Sequence, residues 1–69
     1  MEKQHGTVKW FSKDKGFGFI APDGGGRDVY AHISHVETPN NNLSDGQRVE
    51  FEVANGRKGP EAVHIKLLD

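Results

Sequence analysis

The chain has 69 residues, four phenylalanines, one tryptophan, one tyrosine, no cysteine and a formal net charge of −1. That length predicts a single domain over residues 1–69 with a modest buried fraction, and the missing thiol excludes disulfide staples, thiolate metal sites and a cysteine nucleophile, in keeping with a reducing compartment. No apolar run nears the roughly 20 residues of a membrane span and Met1–His5 lacks the pattern of a signal peptide, so a cytoplasmic protein is expected.

Gly6–Phe11 reads as a first strand, ended by the polar run Ser12–Lys15. Gly16–Ala21 is a second, ended by the turn formers Pro22-Asp23-Gly24-Gly25-Gly26, and Asp28–Ile33 is a third. Ser34–Asn42 follows as a loop whose polar Thr38-Pro39-Asn40-Asn41-Asn42 is expected to be mobile. Arg48–Val53 alternates cleanly, setting Val49, Phe51 and Val53 inward and Arg48, Glu50 and Glu52 in solvent. After the turn Asn55–Pro60, Ala62–Leu67 repeats the pattern with Val63, Ile65 and Leu67 inward. No apolar period of helical length is present, so the chain is all-β. Five short antiparallel strands in so small a chain are best closed into a barrel, which removes the edges that recruit other chains. Its core is expected from Val8, Ile20, Val29, Ala31, Val49, Phe51, Val53, Val63 and Ile65, with Phe11 and Leu43. Strict alternation sets Val8 with Trp10, so Val8 and Phe11 both reach that core only if a bulge interrupts the first strand.

Within the second strand, Lys15-Gly16-Phe17-Gly18-Phe19-Ile20 is inverted for a half-buried segment, because its bulky and small residues lie on alternate faces. Burying Phe17 and Phe19 would turn Gly16 and Gly18 to solvent, leave Ile20 outside, and force Tyr30 and His32 inward in place of Val29 and Ala31. The consistent assignment is the opposite one: Phe17, Phe19, Tyr30 and His32 share an outer surface that Trp10 can join. Exposed rings forgo roughly 1.5 to 3 kcal/mol of burial each, which calls for a ligand. Unpaired bases fit, since stacking on an aromatic side chain contributes about 1 to 3 kcal/mol per base. The first twenty residues carry four lysines against two carboxylates, while the remainder carries five basic against eight acidic side chains. The net charge thus argues against binding through bulk positive charge, but Lys9, Lys15 and Lys58 stand where they can meet phosphates. Lys13 and Lys66 read as solvated surface charges.

Val8-Lys9-Trp10-Phe11, Lys15-Gly16-Phe17-Gly18-Phe19-Ile20 and Asp28-Val29-Tyr30-Ala31-His32-Ile33 resemble the first strand and the two ribonucleoprotein-type motifs of the bacterial cold-shock proteins. Asp45-Gly46-Gln47-Arg48-Val49-Glu50-Phe51 and Lys58-Gly59-Pro60 extend the resemblance, in order, over nearly the whole chain. It implies a five-stranded OB-type barrel that binds single-stranded RNA and DNA, acting as an RNA chaperone, transcription antiterminator or regulator of cold adaptation. By the same likeness Lys9, Trp10, Lys15, Phe17, Phe19, Tyr30, His32, Ile33 and Lys58 form the binding surface. The chain departs from the family where Ile33 and, near Asn40, a run of asparagines replace usual aromatics, where Tyr30 replaces a phenylalanine, and where Ser12 and His64 replace asparagines.

Three other readings compete. His5, His32, His35 and His64 lack the spacing and partners of a ligand set, so no metal and no other cofactor is expected. An open, ring-covered surface has no enclosed nucleophile and base, which argues against an enzyme or a small-molecule substrate. Exposed aromatics also mark protein partners, so the rival to nucleic-acid binding is a protein-interaction module using the same surface. A monomer is expected.

Overall fold

The computed structural model describes residues 3–39, 41–56 and 59–68. Its strands are β1 (Lys3–Ser12), β2 (Phe17–Pro22), β3 (Val29–His32), β4 (Arg48–Gly56) and β5 (Gly59–Leu67), with one turn of 3₁₀ helix at Ile33–His35. They close into a barrel in the order β1-β2-β3-β5-β4, β1 bonding to both β2 and β4. The barrel is as the sequence predicts, but not every pair is antiparallel: β3 and β5 run parallel, Tyr30 opposite Glu61 and Ala31 opposite Ala62. Parity demands this. Strand directions cannot alternate all the way round a closed ring with an odd number of members, so one seam must be parallel.

A bulge breaks β1 where the apolar pattern requires one. Val8 faces Ile20 and Trp10 faces Phe19, so two steps on β1 match one on β2 and Lys9 is the extra residue. Val8 is thereby buried and Phe11 still packs against the core. The loop before β4 clasps this irregular stretch: the Val8 N–H donates to the Gln47 carbonyl at 2.8 Å, and the Val8 carbonyl accepts the Gly46 N–H at 2.7 Å. Asp45 adds its carboxylate, which accepts the Phe11 N–H at 3.3 Å. The Asp45-Gly46-Gln47 motif therefore satisfies β1 backbone groups that lie beyond its last pair with β4, Thr7 opposite Arg48.

A second bulge, in β5, interrupts the predicted inward alternation of that strand. Two steps on β4, Glu50 to Glu52, span three on β5, Lys66 to Val63, and His64 takes a left-handed φ of 51°. Ala62 and Ile65 both reach the core as a result. Val63 shares its face with Glu52 and is buried outside the core cluster, and Leu67, the last residue of β5, is 41 % exposed. Val53 is only partly buried.

The segment after β3 is not a free loop. β3 ends at His32, one residue before the predicted end, and the chain turns through Ile33–His35. Val36 is buried and bridges Ile65, and the Glu37 N–H donates to the Ile65 carbonyl at 2.8 Å. Thr38 Oγ1 donates to the Asn42 carbonyl and accepts the Asn42 N–H, both at 3.1 Å, while Asn41 Nδ2 donates to the Val36 carbonyl at 2.9 Å. The segment is thus anchored to the barrel wall, and Val36 joins a core from which the sequence reading omitted it. β4 and β5 extend toward each other as far as the pair Gly56–Gly59, so most of the predicted turn Asn55–Pro60 is strand.

Candidate nucleic-acid interface

The pairing of β2 with β3 sorts their side chains onto two faces. Phe17 lies opposite His32 and Phe19 opposite Tyr30, while Gly18 faces Ala31 and Ile20 faces Val29. Directly paired residues share a face, so the first set forms an outer surface and the second set lines the core, where all four members are buried. The Lys9 bulge sets Trp10 beside Phe19 on the outer surface.

The rings form one connected patch. Trp10 lies 5.5 Å, centroid to centroid, from both Phe17 and Phe19; Phe17 and Phe19 lie 5.7 and 5.9 Å from Tyr30, and Tyr30 lies 6.3 Å from His32. Most contacts are tilted or edge-on, the arrangement that ring quadrupoles favour at about 0.5 to 1.5 kcal/mol per pair. The patch is neither core nor fully solvated. Trp10 is 39 % exposed and Phe17, Phe19, Tyr30 and His32 are half-buried, each covered in part by its neighbours. Mutual contact recovers some of the burial that an isolated exposed ring would forgo.

Gly18 makes this geometry possible. A Cβ there would stand 2.2 Å from the Trp10 carbonyl oxygen and 2.6 Å from the Phe11 Cα. Phe11 is its partner across the strands, and the Phe11 side chain occupies the space a side chain at position 18 would need. The glycine between two phenylalanines is thus a contact requirement of β1, and β1 delivers Trp10.

Of the remaining expected site residues, Lys9, Lys15 and Ile33 lie in or next to the strands that carry this patch. Lys9 is exposed, its Nζ 3.1 Å from Asp28 Oδ2, so its charge is already met within the protein. Lys15 is exposed in the turn between β1 and β2, where its N–H donates to Ser12 Oγ at 3.2 Å and the Gly16 N–H donates to the Ser12 carbonyl at 2.8 Å. That gives Ser12 a structural task. Ile33 is half-buried next to the Phe17–His32 pair, its N–H donating to the Gly16 carbonyl at 2.9 Å. His32 Nδ1 accepts the Ser34 N–H at 3.1 Å and lies 2.9 Å from Ser34 Oγ. Lys58 and Asn40 lie outside the described residues. Asp28 and Ser34 are the neighbours that the sequence reading missed. Asp28 opens the motif Asp28–Ile33, yet only the folded barrel brings it to Lys9.

Elsewhere the surface is dominated by opposite charges. The Arg48 guanidinium makes two hydrogen bonds to the Asp23 carboxylate, which holds Asp23 below and Arg48 above their ordinary ranges. A hydrogen bond from His64 likewise holds Glu37 below the usual carboxylate range. His5 faces Glu50 at 3.6 Å and His35 faces Glu61 at 3.9 Å. Among the described residues no three His, Cys, Asp or Glu side chains converge as metal ligands would, and no helix is long and apolar enough to cross a membrane.

The model of the 'Cold-shock' DNA-binding domain family matches residues 4–68. The sequence is similar to the cold shock-like protein CspE of Escherichia coli strain K12, at 52 % identity over 69 residues, covering 99 % of this chain and 100 % of that protein. The cold shock protein ScoF of Streptomyces coelicolor is 54 % identical over 61 residues, 87 % of this chain and 91 % of that one. Among solved structures, drosophila Unr CSD456 matches with a TM-score of 0.83 over 99 % of this chain and 27 % of its own; at 24 % identity that likeness is one of fold.

Proposed function

The chain belongs to the cold-shock DNA-binding domain family, whose work is nucleic-acid binding, and on that premise we propose that it captures single-stranded RNA and DNA by stacking unpaired bases on the rings of β1, β2 and β3. The observation that carries this reading is the continuous patch of Trp10, Phe17, Phe19, Tyr30 and His32, half-exposed on one face of the barrel. Every base has a π-face, so such a patch accepts any unpaired strand, whereas bases inside a duplex are already stacked. Lys15 and Lys58 meet the phosphates that follow the bases, Lys9 does so by exchanging Asp28 for a phosphate, and Ile33 supplies an apolar margin.

The mechanism has no chemical step, so no catalytic residue, cofactor or nucleotide hydrolysis takes part. Binding the open strand and not the paired one shifts the pairing equilibrium by mass action. That is RNA chaperoning; applied to a nascent transcript it opposes terminator hairpins and so regulates transcription. Four to five stacks at about 1 to 3 kcal/mol each, less the cost of immobilising both partners, place affinity between micromolar and nanomolar. The protein acts as a monomeric single domain in the cytoplasm.

Trp10 reports on the proposal directly, as the only tryptophan and a member of the patch. Short oligothymidine or oligouridine is expected to quench its fluorescence saturably, and matched duplex to leave it unchanged. Emission that responds to neither overturns the reading in favour of a protein partner for the same surface.

A further inference from the structure

We propose that Asn55 is a site of spontaneous deamidation, where the folded protein acquires a carboxylate that loosens its hold on a bound strand. Deamidation itself needs nothing from the ring patch; its effect on binding rests on the base-stacking function proposed for that patch. The chain has three steps of an aspartate or asparagine followed by glycine, Asp23-Gly24, Asp45-Gly46 and Asn55-Gly56. Such steps are prone to ring closure, because glycine has no Cβ to hinder its nitrogen as it approaches the preceding side chain. The fold restrains two of them. Both Asp23 carboxylate oxygens accept hydrogen bonds from Arg48. Asp45 Oδ1 accepts the Phe11 N–H at 3.3 Å, and the Gly46 N–H is itself given to the Val8 carbonyl at 2.7 Å. Asn55 is exposed, and among the described residues its side chain has no hydrogen-bond partner.

The backbone around Asn55 is also weakly held. Gly56–Gly59 is the last pair of the β4–β5 ladder, and Pro60, opposite Asn55, has no N–H, so the Asn55 pair holds at most one ladder bond. Strand ends of this kind open locally at little cost, which frees the Gly56 nitrogen. Deprotonated by hydroxide, that nitrogen attacks Asn55 Cγ. A C–N bond forms, the side-chain nitrogen leaves as ammonia with a proton from water, and a five-membered imide results. Water then opens the imide, to aspartate when the N–Cγ bond breaks and to isoaspartate when the backbone C–N bond breaks. The sum is amide plus water to acid plus ammonia, with no oxidant or reductant. Location decides the consequence. Tyr30 pairs with Glu61 and Glu61 with Ala54, so Asn55 follows a row of residues that crosses β3, β5 and β4. Two strand spacings put the new charge about 10 Å from Tyr30, within a Debye length at low salt. There it repels the phosphates of a strand stacked on the rings.

Two measurements test this. The unmodified protein is aged in warm, mildly alkaline buffer and its peptides are mapped by mass spectrometry with electron-transfer fragmentation, which tells isoaspartate from aspartate. The mass gain from amide to acid is expected first at Asn55, with isoaspartate at that position and none at Asp23 or Asp45. Asn55→Gln, whose longer side chain closes a less favoured ring, is expected to remove it. No gain at Asn55, or an earlier one among Asn40, Asn41 and Asn42, overturns the site. Isoaspartate accumulating equally at Asp23 and Asp45 overturns the restraint by the fold. The aged form, separated by anion exchange, and Asn55→Asp are then titrated with oligothymidine beside fresh protein. At about 10 mM salt the affinity of both is expected to be about twofold weaker, and the difference to vanish at about 1 M. Equal affinity at low salt overturns the effect on binding. A fresh protein that binds no oligothymidine overturns the base-stacking function, and the mass map then decides the site by itself.

Discussion

Phe17 and Gly18 are neighbours under opposite constraints. Phe17 stays only partly buried while Gly18 is sealed beneath the Trp10 and Phe11 backbone. Gly18→Ala is expected to destabilise the barrel by about 1 to 3 kcal/mol, the usual penalty of overpacking, because β1 must shift to admit a methyl group. Urea unfolding followed by Trp10 emission measures both the loss and the displaced indole. Phe17→Ala and Phe19→Ala are expected to cost only about 1 to 2 kcal/mol, since each gives up ring contacts and no core volume. They should weaken oligothymidine binding at least tenfold, about one stack's worth. Phe51→Ala, at a fully buried side chain, is expected to cost about 3 to 5 kcal/mol. Equal stability losses at Phe17 and Phe51 would show that the patch is structural. This inward and outward sorting was legible before folding because Phe17-Gly18-Phe19 and Val29-Tyr30-Ala31-His32 permit only one mutually consistent assignment. What no alternation pattern encodes is how closely two backbones approach, so the reason for Gly18 emerged only from the barrel.

Between strands, the two bulges show where periodic reading works and where it misleads. In β1 the pattern contradicts itself, since Val8 and Phe11 are apolar at positions of opposite parity, and the conflict reveals the bulge. In β5 Val63, Ile65 and Leu67 fit strict alternation without fault, so nothing signals that His64 resets the phase. Ala62 is too small and Val36 too isolated in polar sequence to have been recognised as core. Elements distant in the chain are also tied by charge: Asp23, just after β2, meets Arg48 at the start of β4, and Arg48 donates to Thr7 Oγ1 of β1 at 2.9 Å. Because the folded protein lowers the Asp23 and Glu37 pKa values, their stabilisation is fully present above the unfolded-state values of about 4 and is lost as pH falls through the lower folded ones. Stability is therefore expected to decline below about pH 4, and less steeply in Asp23→Asn. Thermal melts between neutral pH and pH 2 check this; an identical decline in the variant would remove Asp23 from the account.

For the molecule as a whole, the distribution of charge matters more than its sum of −1. The rings are flanked by Lys15 and by Lys9, itself paired with Asp28, while Lys3, His5, Glu50, Arg48, Asp23, Glu37 and His64 are engaged with one another elsewhere. With about three phosphate contacts, the logarithm of affinity is expected to fall against the logarithm of salt concentration with a slope near −2. A slope steeper than about −5 would show that charge, not stacking, dominates. The lysine count that sets this slope was readable in the sequence. The engagement of Lys9 by Asp28 was not, because it depends on two residues nineteen positions apart meeting in the folded state.

Among the described residues the parallel seam between β3 and β5 is joined by two residue pairs, where every other junction has at least four. A hoop of staves held so lightly at one joint should gape there first, and the stave at that joint carries Tyr30 and His32. Brief breathing of this gap would let the grip adapt to strands of differing curvature without melting the rest. Amide hydrogens of Tyr30 to His32 should then exchange with deuterated solvent ahead of those in the centre of β4, and equal protection throughout would mean that the staves part only together.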